Sequence, residues 1–278
     1  MRLSRPGADP YTPRSPRVVA AHKLLRRRHR DEAGLFLAEG PQAVREALAV
    51  PGVVKELFVT ADAAQRHPEF AAEVAAGIPT HLVSGQVMDS LAQTVTPQGV
   101  VAVCGYVDGD LAAVLAARPR LVAVLAAVRD PGNAGTVIRV ADAAGADAVV
   151  LTDTSVDVYN GKCVRATAGS LFHLPVVAGV PAEEALPRLR AAGIRVLATD
   201  GTARHDLDAA LDAGELDGPT GWLFGNEAWG LPAELIALAD DTIRVPIHGR
   251  AESLNLATAA AVCLYASARA HRTRTTCE

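Results

Sequence analysis

Residues 121–128 form an unbroken apolar run, too short to span a membrane and too uniform for a strand with one wet face. A strand apolar on both faces must be covered on both, as in the middle of a parallel sheet. Shorter runs of the same kind recur, and strands are expected at 35–37, 54–60, 80–83, 99–104, 148–151, 174–177, 194–199, 221–224 and 242–246. Between them lie stretches of helical spacing, at 40–50, 68–76, 84–91, 135–145, 162–172, 181–192, 232–239 and 254–270. That alternation predicts a mostly parallel, doubly wound α/β fold.

Half the residues are hydrophobic but only 4% are aromatic, so the core has to be built from Ala, Val and Leu. A chain of 278 residues suits two domains of ordinary size. No uncharged apolar run approaches the roughly 18–20 residues of a membrane span, and the N-terminus lacks the apolar centre of a secretory signal. Cys104, Cys163, Cys263 and Cys277 are scattered without paired spacing, so neither a zinc site nor any other metal is expected. The expectation is a soluble cytoplasmic protein with reduced thiols.

The net charge of −4 is unevenly spread. Residues 1–30 carry nine Lys/Arg against the single Asp9, and the remainder is correspondingly acidic. Such asymmetry suits a basic segment that neutralises phosphates, with Lys23, Arg26, Arg27, Arg28 and Arg30 as the candidates; a merely solvated tail is the other reading. Leu24 and Leu25, flanked by these charges, favour a docked basic helix. Residues 1–16, interrupted by four prolines, are expected to be irregular.

Three polar motifs follow or interrupt the apolar runs of the second half: Pro131-Gly132-Asn133-Ala134-Gly135-Thr136-Val137-Ile138-Arg139, Leu223-Phe224-Gly225-Asn226-Glu227-Ala228-Trp229-Gly230-Leu231 and Ile247-His248-Gly249-Arg250-Ala251-Glu252-Ser253-Leu254-Asn255-Leu256. Open α/β sheets bind their ligands at such loops. The first motif lacks the full spacing of a dinucleotide-binding turn, which disfavours a nicotinamide enzyme. Glycine in the second lets backbone groups approach a ligand closely. Ser253 and Asn255 stand at the start of the last helix, where free N–H groups suit a phosphate, although simple capping explains them equally well. Each motif alone admits a structural explanation.

Together, in this order, they resemble the SpoU/TrmH family of RNA ribose 2′-O-methyltransferases within the SPOUT class. Asn133 and Arg139 match the first family motif, Gly225, Asn226 and Glu227 the second, and Ser253, Leu254 and Asn255 the third. The run Val164 to Pro175 is similar to the segment between the first two. The resemblance implies an irregular basic arm (1–16), a small α/β ribosomal-protein-like RNA-binding domain (17–107), a linker (108–119) and a knotted (trefoil) parallel-sheet methyltransferase domain (120–278). It also implies S-adenosylmethionine as cofactor, held by Gly225, Val245 and Leu254 with Thr199 a weaker candidate. A homodimer follows from it too; on the last helix Leu256, Ala259, Ala260, Cys263, Leu264 and Ser267 make a small apolar stripe at helical spacing, which can cover the knot while the neighbouring face meets a partner.

The catalytic set implied is Asn133, Arg139, Glu227, Ser253 and Asn255, and Arg165 joins the RNA-binding residues. A guanidinium stays protonated at neutral pH, so Arg139 is expected to clamp phosphate and stabilise the alkoxide instead of acting as a base. Asn133 is expected to orient the ribose or Arg139, Glu227 to hold Arg139, and Ser253 with Asn255 to fix the phosphate and cofactor side. The substrate expected is structured RNA, 23S ribosomal RNA first; transfer RNA, or a non-catalytic RNA-binding role, is the alternative.

Overall fold

The computed structural model describes residues 11–72 and 77–275. Residues 1–10 of the basic arm and 73–76, where the helix expected at 68–76 would end, lie outside the described residues. The chain divides into two compact units, the first made of residues 1–107 and 159–172, the second of 108–158 and 173–278.

In the first unit, α1 (Pro16–Lys23) and α2 (Arg27–Ala33) precede β1 (Leu35–Glu39), α3 (Pro41–Ala49), β2 (Val54–Thr60), α4 (Ala61–Arg66), α5 (Glu69–Ala72), β3 (Thr80–Val83), α6 (Gly85–Leu91) and β4 (Val100–Gly105). Its four strands form one sheet in the order β1-β4-β2-β3, antiparallel except for the β2–β3 pair. Ser84 caps α6 by accepting the Val87 N–H, as its position before an apolar run predicts. Of the stretch expected to be irregular, residues 12–15 form only a turn and a bend, and the basic segment that follows folds as α1 and α2. Tyr11 bridges to Val83, and α1 buries Val18 and Ala21 beside Leu24 in the core of this unit.

In the second unit, α7 (Leu111–Ala116) leads into β5 (Leu121–Leu125), α8 (Pro131–Ala144) and β6 (Ala148–Thr152). The chain then supplies α9 (Gly161–Thr167) and a 3-10 turn to the first unit before resuming with β7 (Val176–Val180), α10 (Ala182–Ala191), β8 (Arg195–Thr199), β9 (His205–Asp206), α11 (Leu207–Asp212), β10 (Thr220–Phe224), α12 (Ala233–Ile236), β11 (Asp241–Arg244) and α13 (Leu256–Thr275). The seven strands run in the order β7-β6-β5-β10-β8-β11-β9, every pair parallel. β5, β6 and β10 are buried along their whole length, as an apolar run without alternation requires.

Several boundaries differ from expectation for identifiable reasons. Residues 108–119, expected as a linker, place Leu111 and Val114 in the core of the second unit. The helix expected at 135–145 begins at Pro131, because the Asp130 carboxylate caps it by accepting the Asn133 N–H. The helix expected at 162–172 breaks at Ala168, which adopts a left-handed conformation. The hairpin-sized β9 and the short α11 carry too few apolar residues to show in the pattern. Among the described residues no helix is long and apolar enough to cross a membrane.

Candidate active site

The three motifs meet at the carboxyl ends of the parallel strands. β5 delivers the loop 126–130 and the N-terminus of α8, β10 delivers Gly225–Leu231, and β11 delivers the loop that ends at Asn255. In the second of these, the Asn226 and Gly230 peptides exchange two hydrogen bonds of 2.9 Å. A Cβ on Gly225 would lie 2.5 Å from the Gly230 carbonyl carbon, so the turn closes only with glycine there. Asn226 is 6% exposed; its Nδ2 donates to the Ala127 carbonyl at 2.8 Å and its Oδ1 accepts the Ala228 N–H.

That turn sets Glu227 over the first motif. Its carboxylate accepts from the backbone amides of Arg129 (3.3 Å) and Asp130 (3.2 Å) and from Asn133 Nδ2 (3.1 Å). Asn133 in turn accepts, at its Oδ1, a hydrogen bond of 3.0 Å from Asn255 Nδ2. Asn255 Oδ1 caps α13 by accepting the Ala257 and Thr258 amides. One directed chain, Asn255 to Asn133 to Glu227, thus joins all three motifs. Burial pushes the Glu227 carboxyl up, but the hydrogen bonds from Asn133 and the backbone amides outweigh it and hold it below the ordinary value.

The other expected residues are placed as follows. Arg139 is exposed and makes no hydrogen bond or ion pair. It does not pair with Glu227, contrary to expectation, because six residues along a helix bring it about 120° around the axis from Asn133. Ser253 is exposed at the rim. Thr199 ends β8 with its hydroxyl donating to the Leu223 carbonyl at 3.1 Å. Val245 is half-buried just past β11, and Leu254 is 37% exposed close to Asn255 in sequence.

The basic residues separate into two groups. Lys23 and Arg26 are exposed and have no ion-pair partner among the described residues, whereas Arg27 and Arg28 pair along their own helix with Asp31 and Glu32. Arg30 is 4% exposed and donates to the Leu24 carbonyl at 2.8 Å, so it supports the fold and is withdrawn as an RNA contact. Arg165 lies in the first unit, where its guanidinium meets Glu39 (3.2 Å) and Gln93 (3.3 Å). The small apolar stripe of α13 is largely packed internally. Ala260, Cys263, Leu264 and Ser267 are buried, and the Ser267 hydroxyl accepts from Trp222 Nε1 at 2.9 Å.

The reading missed Asp130, the cap of α8, although an acid three residues before Asn133 is an ordinary capping signal. It also missed Thr152 and Ser155, which carry no motif.

An open parallel sheet with amides, a carboxylate and uncommitted arginines on its carboxyl-end loops is the site of a group-transfer enzyme acting on a polar, phosphate-bearing substrate. Comparison narrows the class. A model of the SpoU rRNA Methylase family matches residues 120–265, and one of the MRM3-like substrate binding domain matches residues 15–102. The chain is 38% identical over 247 residues to the 23S rRNA (guanosine(2553)-2′-O)-methyltransferase RlmP of Bacillus subtilis, covering 87% of this chain and 92% of that one. An AdoMet-bound rRNA methyltransferase from Sinorhizobium meliloti superposes with a TM-score of 0.77 at 34% identity, over 92% of this chain and 95% of that one. The SpoU methyltransferase AviRb from Streptomyces viridochromogenes, in complex with AdoMet, gives 0.78 at 30% identity over 95% and 99%. The chain belongs to the SpoU rRNA Methylase family.

Proposed function

We propose that this protein transfers a methyl group from S-adenosylmethionine to a ribose 2′-hydroxyl of 23S ribosomal RNA in the cytoplasm. The observation that carries the reading is the chain from Asn255 through Asn133 to Glu227, with Arg139 exposed and uncommitted beyond it. The relatives described above, named for 23S rRNA or for rRNA methylation, support ribosomal over transfer RNA.

The residues present fit the cofactor. Ile247 and Leu254 offer part-exposed apolar side chains, and residues 245–254 make no backbone hydrogen bond within the described residues. Their N–H and C=O groups are therefore available to a nucleoside, with Thr199, Gly225, Val245 and Leu254 as the residues that would hold it. When bound, the cofactor supplies an electrophilic methyl group. A 2′-hydroxyl is a weak nucleophile, so the protein's task is to fix its approach and relieve it of charge. Asn133, held by Glu227 and Asn255, orients the ribose; Arg139 clamps phosphate and stabilises the developing alkoxide; Ser253 and Asn255 fix the phosphate side.

Residues 17–107 hold the RNA and 120–278 carry out transfer, with Lys23 and Arg26 as the free cations, Arg27 and Arg28 beside them, and Arg165 anchoring Glu39. A homodimer completes the site. It is supported by the separation of Arg139 from Asn133 on α8, and by an exposed stripe on α13, Val262 and Tyr265. A trefoil knot is supported by the path of α13, which leaves the β11 end and returns to pack on α8 and β10.

The direct test is ribose-methylation mapping across total RNA from a strain lacking the gene. One 2′-O-methyl mark in 23S rRNA should disappear and return with the purified protein. A lost mark in transfer RNA, or none at all, would overturn the reading.

A further inference from the structure

The loop that carries the first motif is bent in a way its own sequence does not favour. Ala127 has φ of +54°, in the left-handed region that suits glycine and penalises a side chain. Asn226 and Glu227 grip the bent stretch from one side. Asn226 takes the Ala127 carbonyl, and Glu227 takes the amides of Arg129 and Asp130.

A second hold comes from the opposite side. Ser155 donates its only hydroxyl proton to the Leu125 carbonyl at 2.9 Å, so towards its other neighbours it acts as an acceptor. Those neighbours are the Val128 N–H at 3.3 Å and the Thr152 hydroxyl at 3.1 Å. Thr152, 3% exposed, accepts the Ala127 N–H at 3.3 Å and can pass its own proton to Ser155. Two hydroxyls thus bind three peptide groups, one before, one at and one after the strained residue. The Val128 carbonyl is tied down as well, by the Val156 N–H at 2.8 Å.

We propose that Ser155 and Thr152 are positioning residues for methyl transfer. Their hydroxyls hold Ala127 left-handed, and so aim one stretch of backbone at both Asn226 and Glu227. No hydrogen bond joins either hydroxyl to the residues assigned to ribose or cofactor; their influence passes only through backbone 125–130. The inference rests on the methyltransferase reading above for its kinetic consequence, but its structural consequence stands alone.

The test uses full-length protein, S-adenosylmethionine and protein-free ribosomal RNA from a strain lacking the gene. Ser155→Ala should lower kcat about tenfold and leave KM for S-adenosylmethionine within about twofold. Adding Ala127→Gly to that variant should restore most of the turnover, because glycine adopts the left-handed conformation without help. A merely structural role for Ser155 would show no such rescue. Thr152→Val, nearly identical in shape, provides the second variant if Ser155→Ala does not fold. Amide hydrogen exchange at Arg129 and Asp130 should quicken in either variant. Turnover within twofold of wild type, or a double variant no better than Ser155→Ala, overturns the inference. If the wild type transfers no methyl group to this RNA, the substrate reading falls, and amide exchange decides the inference: quickened supports it, unchanged overturns it.

Discussion

The carboxylates of Glu56 and Glu39 in the first unit and of Glu227 in the second are satisfied in opposite ways. In the first, Glu56 meets Arg17 at 2.7 Å and His81 at 2.6 Å, and Glu39 meets Arg165 and the Thr94 hydroxyl. In the second, Glu227 is satisfied by two backbone amides and one carboxamide, with no cation. Burial raises both the Glu56 and the Glu227 carboxyl, and in each case the partners reverse the effect and leave it lowered. A carboxylate paired with arginine uses up a positive charge. One held by neutral donors leaves Arg129 and Arg139 unspent at the rim of the site, where a phosphate-bearing substrate needs them. Elsewhere the second unit pairs its arginines too, as Arg195 does with Glu215 and Asp241, so the saving is confined to the Glu227 site.

The contrast is most easily broken at Arg139. Arg139→Ala should reduce methyl transfer by about a hundredfold or more while S-adenosylmethionine affinity changes little, since the residue supports no part of the fold. Calorimetry and a transfer assay separate the two, and wild-type turnover would remove Arg139 from the mechanism. Glu227→Ala should cost about 10- to 100-fold in turnover and roughly 1 kcal/mol in stability, because it removes three hydrogen bonds whose donors water can reach. Glu56→Gln, its counterpart, should lower stability by about 1 kcal/mol with turnover within about twofold. Denaturant unfolding beside steady-state kinetics would show whether the two carboxylates differ in this way.

pH sharpens the same comparison. A carboxyl held low in the folded state contributes stability that is complete above its unfolded value of about 4.3 and lost as pH falls through the lower, folded value. Wild type should therefore lose stability relative to Glu227→Gln across that acid window and not above it. A stability difference independent of pH would mean that the fold does not lower the Glu227 carboxyl. The smallest effect is expected at the free cations of the first unit. Lys23→Ala with Arg26→Ala should weaken RNA binding several-fold and make its salt slope shallower by about one to two. Equal slopes for wild type and variant would show that neither residue touches phosphate. Deleting residues 1–30 is a poorer test, because Val18, Ala21, Leu24 and Arg30 would leave the core with them.

The parallel sheet was legible because its signal is local. β5 and β10 are apolar without alternation, and nothing but a strand covered on both faces accepts such a run. The motifs were legible too, since glycines and amides beside strand ends have few other uses. Less legible were elements whose reasons lie elsewhere in the chain. Arg30 reads as one of a run of surface arginines, and only the carbonyl of Leu24 shows that it is buried. The α13 stripe by itself could cover its own domain or lie beside an interface, and Trp222 reaching Ser267 shows that its own sheet takes it.

By itself, then, the sequence determined the class of sheet, the places where its loops would carry chemistry, and the family to which those loops belong. Tertiary structure alone decided which groups meet. Asn133, Glu227 and Asn255 lie far apart in the chain, and a hydrogen bond between such residues depends on strand order, which local periodicity does not encode. It also decided that α9 joins the first unit, that Glu227 holds Asn133 and not Arg139, and that Ala127 is bent left-handed by two distant hydroxyls. Each of these results from the way burial of polar groups forces them to find partners, and the partners are fixed only when the whole chain is in place.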